Sequence, residues 1–263
     1  MIAKKNTFSV LRLVTLASMG LFLLFGCATD KADLKKQAQY DKYSDAQLYK
    51  KAIRQIQKGH HTLSIETLEA LDARYPFGDY ADKALLLAIY SHYEAEDYAS
   101  AAATAERFMR VHPRHPNVDY AYYMKGLIAY EEYFGFGDRY FPMDRYERDQ
   151  TSAKKSFHDF LALTQKFPQS IYVPNAQKRM VYLRNNIAKS ELDVAKFYLK
   201  KGAYVAAINR GNYVLEHFDQ TPSVEESLSI IIRAYRALGL NDLAKDYLLV
   251  LQHNFPHSPY LVG

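Results

Sequence analysis

The feature that most constrains this chain is a recurring frame of glycine, small residue, aromatic and proline. Three segments, KGHHTLSIETLEALDARYP, KGAYVAAINRGNYVLEHFD and LGLNDLAKDYLLVLQHNFP, set Gly59, Gly202 and Gly239 sixteen residues before Tyr75, Phe218 and Phe255. Seven residues before each glycine stand Ala52, Ala195 and Ile232, and five after it stand Ser64, Ala207 and Ala244. Two more segments keep the frame without the glycine. EDYASAAATAERFMRVHP puts Ala101 in the small slot and ends at His112-Pro113, and DQTSAKKSFHDFLALTQKFP puts Ser156 there and ends at Phe167-Pro168.

A small residue on each of two antiparallel helices lets their axes approach, and a glycine between them accepts the positive φ on which the first helix ends. Tyr198, Tyr235, Leu68 and Leu248 fill the remaining contact. The proline that follows cannot continue the second helix and opens the next unit. A period near 34 residues is that of the tetratricopeptide repeat (TPR). The steps from Tyr75 to His112 and from Phe218 to Phe255 are 37 residues, slightly longer.

The fold class expected is all-α: a TPR solenoid of five helix-turn-helix repeats at about 45–77, 80–114, 118–169, 172–222 and 223–257. The third repeat is too long. Gly126 takes the small slot of its first helix, yet Ser156 lies thirty residues on where twelve are expected, so an insertion centred on FGFGDRYFPMDRYERD sits in its turn. Before repeat four, NAQKRMVYLRNNIAKSELDVAKFYLKK has no glycine or proline, which predicts one long connecting helix over 175–201. Val/Ile/Thr alternation of the kind strands need is hard to find. The repeats divide into an N-terminal half, 45–169, and a C-terminal half, 170–263.

The N-terminus follows a different rule. Lys4, Lys5 and Arg12 precede an uncharged run from Leu13 to Phe25, too short to span a bilayer comfortably but suited to the apolar region of a secretory leader. The run stops at Leu24-Phe25-Gly26-Cys27, which resembles a bacterial lipobox, although Phe25 is bulkier than the usual occupant of its position. Cys27 is the chain's one cysteine, so an internal disulfide is excluded and a lipidated thiol is the expected role; two or more acyl chains anchor stably where one is marginal. Residues 1–26 then form the signal peptide, and 27–44 a polar, flexible, lipidated tether. By the same resemblance, Ala28 rather than Asp after the cysteine implies sorting to the inner leaflet of the outer membrane. Beyond the leader, 31 basic residues face 29 acidic ones; with no basic stripe among aromatics, nucleic acid is not an expected partner.

Catalytic signatures are absent: there is no G-x-S-x-G, no H-E-x-x-H and no phosphate loop. His60-His61 and His112-Pro-Arg-His115 fall in inter-helix turns and are expected to be solvated rather than metal ligands. DRYERD, 144–149, reads as an ion-paired loop. No enzyme, metal or cofactor is expected beyond the lipid on Cys27. Tyrosine is abundant at 23 residues and tryptophan absent, a composition suited to presenting broad contact area at low entropic cost. Tyr90, Tyr93, Tyr122 and Tyr123 fall on or near first-helix faces of repeats two and three, where they serve a peptide or pack between helices.

ALDARYPFGDYADKALLLAIYSHY (70–93), FMRVHPRHPNVDYAYYMKGL (108–127) and KRMVYLRNNIAKSELDVAKFYLKKGAYVAAINR (178–210) resemble the BamD family, TPR lipoproteins of the outer-membrane β-barrel assembly machine, over nearly the whole mature chain. The resemblance implies a non-enzymatic scaffold and receptor, lipid-anchored on the periplasmic face of the outer membrane, with BamA, other Bam lipoproteins and C-terminal segments of unfolded outer-membrane proteins as partners. It places Tyr75 and Gly78 of RYPFG, with Tyr90, Tyr93 and Tyr122, on the substrate-peptide side. It places Arg210, with Asn209 and Phe197, on the BamA side, Arg210 offering an exposed guanidinium to a partner carboxylate. Thr62 stands where some relatives carry Arg, and Phe197 where some carry Tyr. Two other readings share the lipobox and repeats: a pilotin-like lipoprotein assisting secretin or pilus assembly, and a lipoprotein activator of cell-wall synthases. The first gives no account of RYPFG and HPNVDYAYYMKGL, and the second would be expected to carry an added domain for which this chain has no room.

Overall fold

The computed structural model describes residues 39–134 and 149–261. Cys27, the leader and 135–148 of the insertion therefore lie outside the described residues. Every regular element among these residues is helical: α1 (Asp45–Gln57), α2 (His61–Arg74), α3 (Ala81–Glu94), α4 (Tyr98–Val111), α5 (Val118–Phe134), α6 (Thr151–Lys166), α7 (Val173–Lys200), α8 (Tyr204–His217), α9 (Ser223–Ala237), α10 (Asn241–Asn254), and a closing 3-10 turn, Pro259–Leu261. This is a TPR-like helical-repeat fold. No helix among the described residues is long and apolar enough to cross a membrane. Contacts group the chain into two units, one ending at Ala84 and one beginning at Leu85.

In the first unit α1 packs on α2. Ser44 starts α1 with a capping box: its Oγ accepts from Gln47 N at 3.3 Å while Ser44 N donates to Gln47 Oε1 at 2.9 Å, satisfying two end donors at once. Gly59 turns the chain with φ of +72°, and Ala52, Leu48 and Ser64 are fully buried at the crossing. Within 39–44, assigned from sequence to the tether, Tyr40 is buried under Lys51 and Asp41 pairs with Arg74.

In the second unit consecutive helices pack from α4 through α10, and α9 also returns to α7, so a first helix meets both its own partner and the next first helix. That triangular contact is what stacks repeats. Gly202 and Gly239 turn at +73° and +75°, as the frame requires, and in repeat two the same position is Glu96, at +59°. The small-slot residues Ala101, Ser156, Ala207 and Ala244 are all buried. The long helix is present as α7, 28 residues with Pro174 in its first turn, where the missing N–H costs nothing.

Every second helix ends identically, in both units. Tyr75, His112, Phe167, Phe218 and Phe255 cap α2, α4, α6, α8 and α10 with φ between −124° and −136° and ψ between 37° and 65°, each N–H donating at 2.8–2.9 Å to the carbonyl of a fully buried residue four positions earlier. Three residues beyond each cap, at Gly78, His115, Ser170, Thr221 and Ser258, an N–H donates back to the cap carbonyl at 3.0–3.1 Å. This turn redirects the chain into the next first helix.

Two crossings are tighter than the rest. Ser156 Oγ donates to Gly126 O at 2.8 Å, joining α6 to α5, and a Cβ built on Gly126 would lie 2.5 Å from the Phe160 ring. Ser227 Oγ donates to Gly211 O at 2.9 Å, joining α9 to α8, and a Cβ on Gly211 would lie 2.6 Å from Ile231. The main core of this unit runs from Leu85 and Ile89 through Phe108, Ile128, Phe160 and Leu163 to Leu183 and Ile187. It therefore crosses residue 170 without interruption, and the two repeat halves counted from sequence are not separate cores.

Candidate functional site

The predicted site residues fall into three groups. In the first unit, Tyr75 caps α2 and its hydroxyl donates to Tyr43 O at 3.0 Å, while the Arg74 guanidinium lies over the Tyr75 ring, 5.7 Å from its centroid. Gly78 allows the turn after it: a Cβ there would sit 3.2 Å from both Asp45 Oδ2 and Tyr75 Cβ. Between them Phe77 is 99 % exposed. Sequence reasoning missed this side chain, although Pro76 before it and Gly78 after it mark a loop tip. RYPFG therefore holds its own turn together through Tyr75 and Gly78, and displays Phe77.

The second group is a run of tyrosines on α3, α5 and α7. Tyr93 is half-buried and donates its hydroxyl to Glu131 Oε1 at 3.3 Å; burial, then the Glu131 charge, pushes its pKa far above the ordinary phenol value. Tyr90 is raised by burial and by Glu94. Tyr122 leans on Phe167 with centroids 5.2 Å apart, and its hydroxyl accepts from Lys166 Nζ at 2.8 Å. Tyr123 stacks on Tyr172 at 4.7 Å and donates to Asn175 Oδ1 at 3.0 Å. Arg179 covers Tyr130 at 4.3 Å, and Tyr130 meets Phe134 and Tyr182. Tyr93, Tyr122, Tyr123 and Tyr130 are each already held by a hydrogen bond or a ring contact. Side chains already held by such contacts have less freedom left to lose on binding.

The third group is on α7 and α8. Arg210 is exposed at 45 % of its side chain, but its Nη1 already donates to Glu191 Oε2 at 2.8 Å. Lys154 reaches the other oxygen of the same carboxylate at 3.5 Å, so Glu191, only 13 % exposed, ties α6 and α8 to α7. A partner carboxylate must therefore compete with Glu191 for Arg210. Neither Glu191 nor Lys154 was legible as a site residue, because no sequence spacing brings 154, 191 and 210 together. Asn209 is exposed beside Arg210, and Phe197 is 56 % exposed on α7 with Lys201 5.7 Å from its ring centroid.

His60 is exposed as expected, but two of the turn histidines depart from expectation. His112 and His115 each pack on the buried Phe108 ring at 5.2 Å, and His115 Nδ1 accepts from Asn117 N, so they are half-buried parts of the repeat turn rather than solvated groups. Among the described residues no group of three His, Cys, Asp or Glu side chains is placed to hold a metal ion. Deeper in the same unit, Lys125 joins Glu106 at 3.1 Å and Asp159 at 3.4 Å, bridging α4, α5 and α6. Burial pulls the ammonium down, but the two carboxylates outweigh it and its pKa is raised.

Stacked helical hairpins, an engaged aromatic face and a shared ion-pair junction define a helical-repeat interaction scaffold. The family model described as "outer membrane lipoprotein" (YfiO) matches residues 41–251. The chain is 36 % identical over 251 residues to the outer membrane protein assembly factor BamD of Neisseria meningitidis serogroup A, covering 95 % of this chain and 93 % of that protein. It is 38 % identical over 236 residues to the protein of the same name from Vibrio cholerae, covering 90 % and 95 %. Its identity to that of Xylella fastidiosa strain Temecula1 is 32 % over 263 residues, covering 100 % and 88 %. The chain belongs to the YfiO/BamD family of outer-membrane lipoproteins, which places it with the outer membrane and among assembly factors. Among solved structures, the assembly chaperone of RpL4 aligns over 82 % of this chain and 77 % of its own at a TM-score of 0.33 and 14 % identity, too remote to carry an argument.

Proposed function

We propose that this chain is a non-enzymatic scaffold and receptor in the assembly of β-barrel proteins into the outer membrane. Cys27 carries the lipid that holds it to the periplasmic face. The α7–α8 region, with Arg210, Asn209 and Phe197, docks BamA, and the repeats bearing Tyr75, Gly78, Tyr90, Tyr93 and Tyr122 receive C-terminal segments of unfolded outer-membrane proteins. Other Bam lipoproteins complete the assembly. The observation that carries the reading is full-length similarity to assembly factors on a fold whose exposed chemistry is that of protein contact. Arg210 suits coupling because its guanidinium is held by Glu191 yet open on its outer side, ready for a second carboxylate.

Purification of the full-length lipoprotein from membranes in mild detergent, with mass spectrometry of its partners, tests this. A large β-barrel subunit is expected in near-stoichiometric amount, and Arg210→Glu is expected to lose it. Recovery of a secretin or a cell-wall synthase instead would overturn the assignment. Metabolic labelling with a palmitate analogue is expected to mark the chain and to fail on Cys27→Ala; labelling that survives this change would refute the anchor.

A further inference from the structure

Arginine is held in two contrasting ways in this molecule. Arg74 and Arg210 each meet a carboxylate, of Asp41 and Glu191, and their charge is compensated. Arg179, half-buried on α7, is held by neutral groups instead. Its Nε donates to Asn175 Oδ1 at 3.0 Å, one turn back on the same helix, and its guanidinium lies over the Tyr130 ring, 4.3 Å from the centroid. Asn175 Oδ1 is fixed in turn by the Tyr123 hydroxyl of α5, which donates to it at 3.0 Å. Neither Nη of Arg179 makes a hydrogen bond or an ion pair among the described residues.

The acidic group on the facing helix does not relieve this charge. Glu131, next to Tyr130 on α5, accepts from the Tyr93 hydroxyl at 3.3 Å and forms no ion pair with Arg179. Burial and then Glu131 raise the Tyr93 pKa while Arg179 opposes them, so the Arg179 charge is felt at α3 as well as at α5. A guanidinium tied by its Nε and covered on one face keeps two parallel N–H donors free in a fixed plane. That is a fork set for a carboxylate, with little side-chain freedom left to lose.

The surrounding rings say where such a carboxylate sits in a ligand. Tyr172 comes about two helical turns before Arg179, and Tyr182 about one turn after it. Tyr172 stacks on Tyr123 at 4.7 Å, and Tyr182 meets Tyr130 at 6.2 Å. The fork therefore lies within the aromatic surface, not at its edge. A chain end bound there would leave the rings on one side uncovered, whereas a residue inside an extended segment covers both. We propose that Arg179 anchors the side-chain carboxylate of an aspartate or glutamate within an extended peptide, whose flanking aromatic side chains lie on the tyrosines to either side. This deepens the proposed function and rests on the reading that these repeats receive peptide segments.

The test titrates the full-length chain, in mild detergent, into the fluorescein-labelled, C-amidated peptide GYGFEFGYG and into its twin with glutamine for glutamate, GYGFQFGYG. Anisotropy is expected to saturate for the glutamate peptide with a Kd on the order of 100 μM. The glutamine peptide should bind at least about five-fold more weakly. Arg179→Gln is expected to weaken the glutamate peptide by the same factor and to leave the glutamine peptide unchanged. Arg179→Lys, which keeps the charge and loses the fork, should fall between. The comparison of the two peptides needs no variant protein, so it decides even where Arg179→Gln fails to fold. Equal binding of both peptides to the parent chain would overturn the anchor and leave the repeats as a peptide seat. Binding of neither would overturn the anchor and the receptor reading together. A glutamine peptide with a free C-terminus that binds as tightly as the glutamate amide, and loses this on Arg179→Gln, would give the fork to a chain end and overturn an internal side chain.

Discussion

Glycine does two opposite jobs in this molecule, and comparing the helix crossings with the turns separates them. At Gly126 and Gly211 the backbone is helical and the neighbours are close, so what matters is the absent Cβ. At Gly59, Gly202 and Gly239 a Cβ would meet nothing within 4 Å, and what matters is positive φ. The first kind is specified by the partner helix. The second is specified by the chain itself.

That contrast is broken most severely at the α5–α6 crossing. Gly126→Ala is expected to cost about 2–3 kcal/mol in urea unfolding of the full chain, because its Cβ meets the face of a fully buried ring. Phe160→Leu should recover part of that loss when combined with it, beyond additivity. Gly211→Ala is expected to cost less, about 2 kcal/mol, since Ile231 offers a narrower, branched side chain instead of a ring. No cost at either site would show that the helices separate freely.

The turns should respond more mildly. Gly202→Ala is expected to cost about 1 kcal/mol, from φ alone, with no dependence on any neighbour. In repeat two the turn is held differently, by Asp97, whose carboxyl accepts from Ser100 N at 3.2 Å at the start of α4. Asp97→Ala is expected to cost about 1 kcal/mol. Hydrogen bonding from Ser100 lowers the Asp97 pKa against the opposing effect of burial, and His92 adds to the lowering. A lowered folded pKa means the contribution is complete above the unfolded carboxylate value of about 3.9 and is lost as pH falls through the folded one. Asp97→Ala should therefore flatten the acid limb of the stability curve; an unchanged limb would remove Asp97 from the account.

The smallest expected effect has the opposite sign. Glu96 occupies the position that repeats one, four and five give to glycine, at φ of +59°. Glu96→Gly is expected to raise stability by about 0.5–1 kcal/mol, the left-handed strain relieved less the added freedom of the unfolded chain. A thermal melt that falls instead would mean that Glu96 makes a contact outweighing its strain.

The sequence by itself determined the repeat frame, the turns, the caps and the long α7. These rest on residues within a few positions of one another, where Gly, Pro and small side chains have fixed conformational consequences. Tertiary structure alone decided that Glu191 holds both Lys154 and Arg210, that Tyr93 gives its hydroxyl to Glu131, and that Tyr40 is packed rather than part of a tether. It also decided that Gly211 is a crossing. Those facts depend on which helix faces meet. An amphipathic pattern says that a face is buried but not which side chains lie opposite it, because partners tens of residues apart become neighbours only when the helices have packed.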